Sequence, residues 1–336
     1  MTNLDRLILP CHSNQLYLKS NVKIEEYMKR FWGILILLSS FSLLFAQNTF
    51  EFLRLDMSPR AAALAGSYVA NDDDPNVIFY NPAGLNFLKD KPASFSFLKH
   101  LVDINSASLT YSQEVTDIGR FGVGVQYINY GTFTEADANG NQLGEFGANE
   151  FALLVGYGNE LGDNLFYGAN VKFIYSGIAD YSATGIAMDL GLHYTIPDDD
   201  WSFGLSILNF GTQISSYFDK DEDLPTDMRF GVSKALPHTP FKFYLSLNRL
   251  VDKYDNFTDR FKQLTAGAEI RFSSSLRLRI GYDNEKRKDY KVGTTAGLAG
   301  FNIGVGFAVS DYTIDYAFSS MGSIGALHRF GVSTTF

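Results

Sequence analysis

The residues that could do chemistry are few and scattered. Asp72-Asp73-Asp74 offers three carboxylates, the hard oxygen donors a calcium or magnesium ion takes, but such a run more commonly forms a solvated turn. Asp137, Asn139 and Asn141 have the spacing that opens a calcium loop. Gln142 then stands where that loop needs glycine, and Ala148 where it needs the closing glutamate, so an exposed turn is expected. There is no G-x-S-x-G elbow, no Walker loop and no H-E-x-x-H pair. Gly122-Val123-Gly124 and Gly304-Val305-Gly306 read as strand glycines where side chains must thin, not as phosphate loops. A barrel lipase or acyltransferase would need neighbouring Ser and His; His100, His193, His238 and His328 are present, but linear order does not show their neighbours. The expectation is a protein that is not an enzyme and takes no cofactor. A net charge of −9 also argues against a nucleic-acid partner.

The remaining charged residues point to an interior rather than an active site. Lys172, Asp189, His193, Lys242, Glu269, Arg271, Arg277, Arg279 and Asp315 all fall in the small or polar phase of two-residue alternations. Ile186, Met188, Leu190, Leu192 and Tyr194 alternate with Ala187, Asp189, Gly191 and His193; Leu264, Ala266, Ala268 and Ile270 alternate with Thr265, Gly267 and Glu269. A period of two sends the two sets to opposite faces of a strand. Bulk on one face and mixed charge on the other suits a barrel with lipid outside and a polar lumen. A single-sign ring would have suggested an ion-selective pore; both signs together predict structural filling by ion pairs.

The elements that carry these residues are predicted as strands over 93–101, 105–115, 119–130, 147–158, 165–177, 184–196, 200–209, 226–236, 240–250, 262–272, 275–283, 297–309, 311–319 and 327–336. Alternate connections are short: 116–118, 197–199, 237–239, 273–274 and Ser310, with 159–164 the longest of that set. The others are mostly long: 131–146, 210–225, 251–261, 284–296 and 320–326, with 102–104 as the exception. Short turns at one end and long loops at the other mark outer-membrane barrels. The expected fold class is therefore an all-β transmembrane antiparallel barrel of about fourteen strands, residues 93–336, preceded by a hatch or lead-in at 47–92. Mean hydropathy near zero fits, because alternation hides the membrane signal.

The start of the chain fits export. Met28-Lys29-Arg30, the apolar run Phe31–Ala46 and the small residue Ala46 have the three parts of a cleavable signal peptide over 28–46. Residues 1–27 show no pattern and read as an upstream extension, with Met28 the expected start. Cleavage before Gln47 would remove the sole cysteine, Cys11. The closing Phe330, Val332, Thr334 and Phe336 share one face and end on an aromatic residue, as the last strand of an outer-membrane protein commonly does.

Longer motifs carry a resemblance. Ser58-Pro59-Arg60-Ala61-Ala62-Ala63-Leu64-Ala65-Gly66, Asn71–Pro75 and Asn81-Pro82-Ala83-Gly84-Leu85 resemble the N-terminal hatch of the long-chain fatty-acid transporter superfamily. Residues 126–137 (QYINYGTFTEAD), 188–194 (MDLGLHY), Leu224-Pro225-Thr226 and 325–330 (GALHRF) are similar to the PorV/PorQ family of the type IX secretion system, most like its PorQ branch. So is 240–247 (PFKFYLSL), and the resemblance covers about Phe50 to Phe336. Pro59 departs from the usual hatch lead-in, but proline suits the first turn of a helix. The resemblance implies Arg60, Asp73, Asn81 and Pro82 as hatch residues. It implies an outer-membrane anchor for soluble secretion proteins such as PorZ, in an attachment complex with PorU and PorV that joins cargo to lipopolysaccharide. The alternative is an outer-membrane channel for a hydrophobic small molecule. An apolar pocket with a lateral opening would favour the channel; a filled lumen with an aromatic patch on the outer loops would favour the anchor.

Two further expectations concern surfaces. Tyr217, Phe218, Tyr254, Phe257 and Arg260 on the long loops are candidate partner-binding residues, the first four being girdle aromatics in the alternative. Leu190, Leu205, Leu245 and Leu278 should face lipid, while lumen positions such as Ser206 should tolerate arginine better.

Overall fold

The computed structural model describes residues 49–336, apart from 219–220, 255 and 292–296, and apart from the side chain of Phe257. The signal-peptide and upstream-extension assignments lie outside these residues. Among the described residues fourteen strands run in chain order: β1 Pro92–Lys99, β2 Asn105–Val115, β3 Gly119–Ala136, β4 Gln142–Gly162, β5 Leu165–Ile178, β6 Tyr181–Ile196, β7 Trp201–Ser215, β8 Asp227–Ala235, β9 Phe241–Leu247, β10 Leu264–Arg271, β11 Leu276–Asp283, β12 Phe301–Val309, β13 Tyr312–Ser320 and β14 Ala326–Thr335. Each pairs antiparallel with its neighbours, and β1 closes the barrel on β14, with Phe95 opposite Val332 and Phe97 opposite Phe330. Closure leaves no edge strand.

The alternation predicted the wall because each phase has a different solvent. Leu109, Val155, Phe173, Met188, Leu190, Leu245, Ile280, Ile303, Phe307 and Ile314 point outward and are exposed. Leu205 and Leu278 share that outward phase and are half-buried by neighbours. The alternate residues are buried inside the ring: Ser108, Lys172, Asp189, His193, Ser206, Glu269 and Arg279. A continuous apolar exterior round a polar interior is the surface of a membrane-spanning barrel.

Four sequence expectations need correction. The long loop at 131–146 is mostly strand: β3 and β4 run on past the wall as a projecting hairpin, with Phe133 opposite Phe146 and a turn only at 137–141. Apolar and polar residues are exposed alike there, Phe133 and Leu143 as well as Glu135 and Glu145, so the alternation that marks a lipid-bathed strand is lost. The connection at 159–164 is a tight turn, because β4 runs to Gly162 and pairs with Leu165. The 210–225 loop is shortened by the extension of β7 to Ser215, and 284–296 begins with a short helix, Asn284–Asp289, capped by the Asp283 carboxylate.

Residues 49–91 lie inside the barrel. They begin at the long-loop end, where Thr49 N–H donates to the carbonyl of Asp223, and finish at the short-turn end, where Arg120 donates to the carbonyl of Asp90. Between them come helix α1, Pro59–Ala63, and short 3-10 turns at Pro75–Phe79 and Pro82–Phe87. All three start alike: Ser58, Asp74 and Asn81 each cap the next segment by accepting from a backbone N–H, and each is followed by proline. An oxygen-bearing cap before proline fixes a helix start, since proline's missing N–H is not needed at that position. This folded segment is a plug in the barrel.

Candidate functional site

The plug fits because the wall is thinned to receive it. α1 packs on β11 to β14, and the Pro82–Phe87 turn packs on β4 to β6. The facing wall positions are glycines. A Cβ built on Gly281 would stand 2.5 Å from the carbonyl oxygen of Ala63 and 2.5 Å from the amide of Ala65. One on Gly304 would meet Ala63 Cβ at 2.5 Å, and Gly168, Gly191 and Gly204 likewise face plug atoms at Pro82, Asn81 and Val69. Gly281→Val should therefore unseat α1 at a cost of about 1–3 kcal/mol. Gly147→Val, where a Cβ would come no nearer than 3.7 Å to the carbonyl oxygen of Gly131, should be near neutral. Urea unfolding of the barrel in lipid vesicles would separate the two.

Direct bonds then tie plug to wall on several sides. Asn81 and Asn86 donate to the backbone carbonyls of Leu192 and Tyr167, both at 3.0 Å. Asn170 donates to the carbonyl of Ile78 at 2.9 Å, Ser233 to that of Ala70 at 3.0 Å, and Arg329 to that of Asp56 at 2.7 Å.

The lumen charges form a clamp. Glu269, fully buried, accepts from Arg60 of the plug at 3.0 and 3.2 Å and from Arg279 at 2.7 Å, and Arg271 approaches to 3.4 Å. Arg279 also pairs with Asp315. Arg60 reaches Asp73 at 2.8 Å and Asp74 at 3.9 Å; Arg271 reaches Asp73 at 3.3 Å and Lys242 reaches Asp72 at 2.7 Å. The aspartate run is solvated only in part: Asp73 is exposed and Asp72 half-buried at the mouth, Asp74 is buried, each carboxylate has a cation beside it, and Asp74 also caps the turn that follows. Burial works against the charge on Asp73, but Arg60, Lys242 and Arg271 outweigh it and hold the carboxyl well below the usual range. At Asp74 burial prevails over Arg60 and Asn76, and raises the carboxyl.

A second network sits at a β-bulge. Pairing between β6 and β7 shifts between Met188 and Leu190, where Asn209 takes a left-handed backbone (φ 58°). Asp189 accepts from Asn209 N–H at 2.8 Å, from Asn170 at 2.7 Å and from Lys172 at 2.9 Å. The remaining predicted lumen residues differ. His193 is fully buried, lies 4.5 Å from the Phe87 ring, and has no hydrogen-bond partner on either ring nitrogen. Arg277 is half-buried and lines a cavity of about 350 Å³ at the short-turn mouth with Asp73, Lys89 and Asp311. At the opposite mouth Asp227–Arg229, Arg249–Glu285 and Lys286–Asp56 surround a cavity of about 80 Å³. Sequence reading did not single these out, because they lie at strand ends where alternation fades.

The proposed rim residues are not one patch. Tyr217 turns inward, donates to Ser176, and packs with Phe50, Ile128 and Leu224. Tyr254 is half-buried and donates to the carbonyl of Arg249 at 3.1 Å. Phe218 is 70% exposed, with its ring 5.1 Å from that of Tyr181, and Arg260 is exposed. The side chain of Phe257 lies outside the described residues. The hairpin adds groups that sequence reading missed: Phe133 stacked on Phe146 at 5.3 Å, and Leu143 at 63% exposure. Asp137 accepts from the amides of Asn139 and Asn141 and so closes the hairpin turn.

Comparison with solved structures finds the same architecture. The toluene transporter TbuX of Ralstonia pickettii superimposes with a TM-score of 0.56 at 13% identity, covering 83% of this chain and 98% of that one. The toluene transporter TodX of Pseudomonas putida gives 0.53 at 12% identity, over 87% and 98%. A FadL homologue of Pseudomonas aeruginosa gives 0.53 at 10% identity, over 83% and 98%. At these identities the likeness is one of fold. No protein-family profile and no curated protein matches the chain.

Proposed function

We propose that this protein is an outer-membrane barrel that works as an anchor, holding a soluble secretion or attachment protein at the cell surface through its long-loop rim. The observation that carries this reading is the filled lumen. Its own plug occupies the interior from one mouth to the other, is bonded to the wall at β5, β6, β8, β10 and β14, and meets a lining of glycine, serine and paired charges beside apolar residues such as Ile128, Leu154 and Ile174. The plug's own Phe50, Phe52, Ile78 and Leu85 already cover those apolar residues, which leaves little to an apolar solute. The apolar belt is taken up by lipid, so the rim remains. Its hairpin runs on past the wall and carries exposed Phe133 and Leu143 beside Glu135, Asp137 and Glu145. The resemblance to the PorV/PorQ family supplies the class of partner: surface proteins such as PorZ, with PorU and PorV in one complex beside lipopolysaccharide. A signal peptide over 28–46 would bring the chain there.

Alanine at Phe133, Phe146 and Phe218 together should weaken surface retention of the partner about tenfold or more, since aromatic anchors dominate such interfaces. The barrel should stay assembled and heat-modifiable. Mass spectrometry of proteins co-purifying with the wild-type and variant barrels checks this; an unchanged partner set would count against the rim.

The fold comparison favours a second reading, a channel for a hydrophobic small molecule, because TbuX and TodX are described as toluene transporters. Toluene uptake into vesicles containing the purified barrel, above that of protein-free vesicles, would support the channel over the anchor.

A further inference from the structure

The short helix Asn284–Asp289 divides its residues between two sides. Glu285 pairs with Arg249, and Lys286 with Asp56 and Asp283, all at the long-loop mouth. Asn284, Arg287 and Lys288 stand at i, i+3 and i+4 and share the other side. Asn284 donates to the carbonyls of Phe261 at 3.1 Å and Lys262 at 3.2 Å, which ties the helix to the 3-10 turn Phe257–Gln263. The segment carrying Arg287 and Lys288 is thereby held against the one carrying Arg260 and Lys262. Among these four cations stands one carboxylate, Asp259, which pairs with Lys262 at 2.8 Å. Asp289 follows Glu285 by four positions and falls on the side of Glu285 and Lys286.

The cationic side meets the apolar belt. The Arg287 guanidinium lies 5.6 Å from the centre of the Phe301 ring. Phe301 opens β12 at its long-loop end and shares the outward phase of Ile303 and Phe307. Its ring lies 5.2 Å from that of Tyr282 on β11. The helix is seated closely here: a Cβ built on Gly300 would stand 2.9 Å from the Arg287 amide nitrogen, and Arg287 donates to the carbonyl of Gly297 at 3.2 Å. Phe261 and Leu298, on the turns that Asn284 and Arg287 bond, are exposed. The belt thus ends, over β11 and β12, in exposed apolar side chains with cations beside them. A phosphorylated lipid has the matching order, acyl chains in the hydrocarbon and phosphate at its edge. Basic side chains at that level are drawn to the anionic surface, and a guanidinium holds phosphate with two parallel bonds. In the outer leaflet of an outer membrane that lipid is lipopolysaccharide.

We propose that Arg260, Lys262, Arg287 and Lys288, set at the edge of the belt beside Phe301, form a binding site for lipopolysaccharide, with the cations on its lipid phosphates and the belt under its acyl chains. The site requires the long-loop end to face outward and does not depend on the anchor reading. The purified full chain, folded in detergent, is titrated with lipid A that keeps its phosphates and with the same lipid A after phosphatase treatment. Native mass spectrometry counts the bound lipid, and only heat-modifiable barrels are scored. The wild type should bind the phosphorylated form at least tenfold more tightly. Arg260→Gln, Arg287→Gln and Lys288→Gln together should abolish that preference, at about fivefold per cation. Lys288→Gln alone, at an exposed position where folding is not at stake, should lower it about fivefold. Lys234→Gln is the control at the short-turn end, where Lys234 lies 4.9 Å from the Trp201 ring, and it should leave the preference unchanged. Equal binding of both lipids by the wild type, an undiminished preference in the triple and single variants, or an equal loss in Lys234→Gln would overturn the proposal.

Discussion

Glu269→Ala is expected to loosen the plug by about 3–5 kcal/mol, the usual loss when one partner of a buried ion pair is removed. Glu269 is the only carboxylate bonded to both Arg60 and Arg279 among the described residues, and both guanidiniums are buried. Its loss leaves Arg60 with Asp73 and Asp74 and leaves Arg279 with Asp315, so each cation keeps less than it needs to stay out of water. Lys242→Ala is the comparison. Its partner Asp72 is about a quarter exposed and can be rehydrated in place, so the loss should stay near 1 kcal/mol or below. Urea unfolding in vesicles gives the two costs, and trypsin cleavage at Arg60 reports the plug itself. Equal effects would mean that the clamp is not centred on Glu269.

The second large effect concerns the outer face. Leu190→Arg on β6 should cost about 2–4 kcal/mol, because its side chain enters the hydrocarbon layer. Leu143→Arg should cost close to nothing, although Leu143 is at least as exposed, at 63% against 50%. The contrast isolates the surroundings from the exposure: Leu190 belongs to the apolar belt and Leu143 to the hairpin tip. The earlier expectation that Ser206 would accept arginine does not survive, since Ser206 is 1% exposed in a lumen already filled by the plug. Assembly yields of the folded band on unheated gels would check both positions, and equal yields for Leu190→Arg and Leu143→Arg would contradict the belt.

The wall was legible because period two is a local property. Any stretch such as Ile186–Tyr194 shows its two faces without knowledge of the rest, and fourteen strands followed with boundaries mostly within a few residues. Legibility failed where the two faces share one solvent. Residues 131–147 are wet on both sides, so their pairing was read as a loop. The lumen phase also named the charges but not their partners: Arg60 and Glu269 are 209 positions apart, and nothing in either neighbourhood points to the other. The wall glycines were recognised as thin places, yet what they make room for is a separate segment. One signal in the plug was read only at Pro59: Ser58-Pro59, Asp74-Pro75 and Asn81-Pro82 are three oxygen-cap and proline pairs, and each begins a helix or a 3-10 turn. Tyr217 and Tyr254 stand out by residue type and by their place on long loops, neither of which shows that Tyr217 turns inward to Ser176 and that Tyr254 bonds the backbone of Arg249.

The plug is seated inside the barrel and held there by its charges. A zero-length carbodiimide cross-linker tests that directly, since it joins a carboxylate and an amine only when they touch. Asp72 and Lys242 are 2.7 Å apart, 170 positions apart in sequence, and not wholly shielded from reagent. Treated in vesicles and digested, the folded barrel should yield an Asp72–Lys242 linked peptide that disappears in Asp72→Asn and after heat unfolding. A barrel that is folded and heat-modifiable, gives no such peptide, and loses residues 49–91 to protease would contradict the central claim.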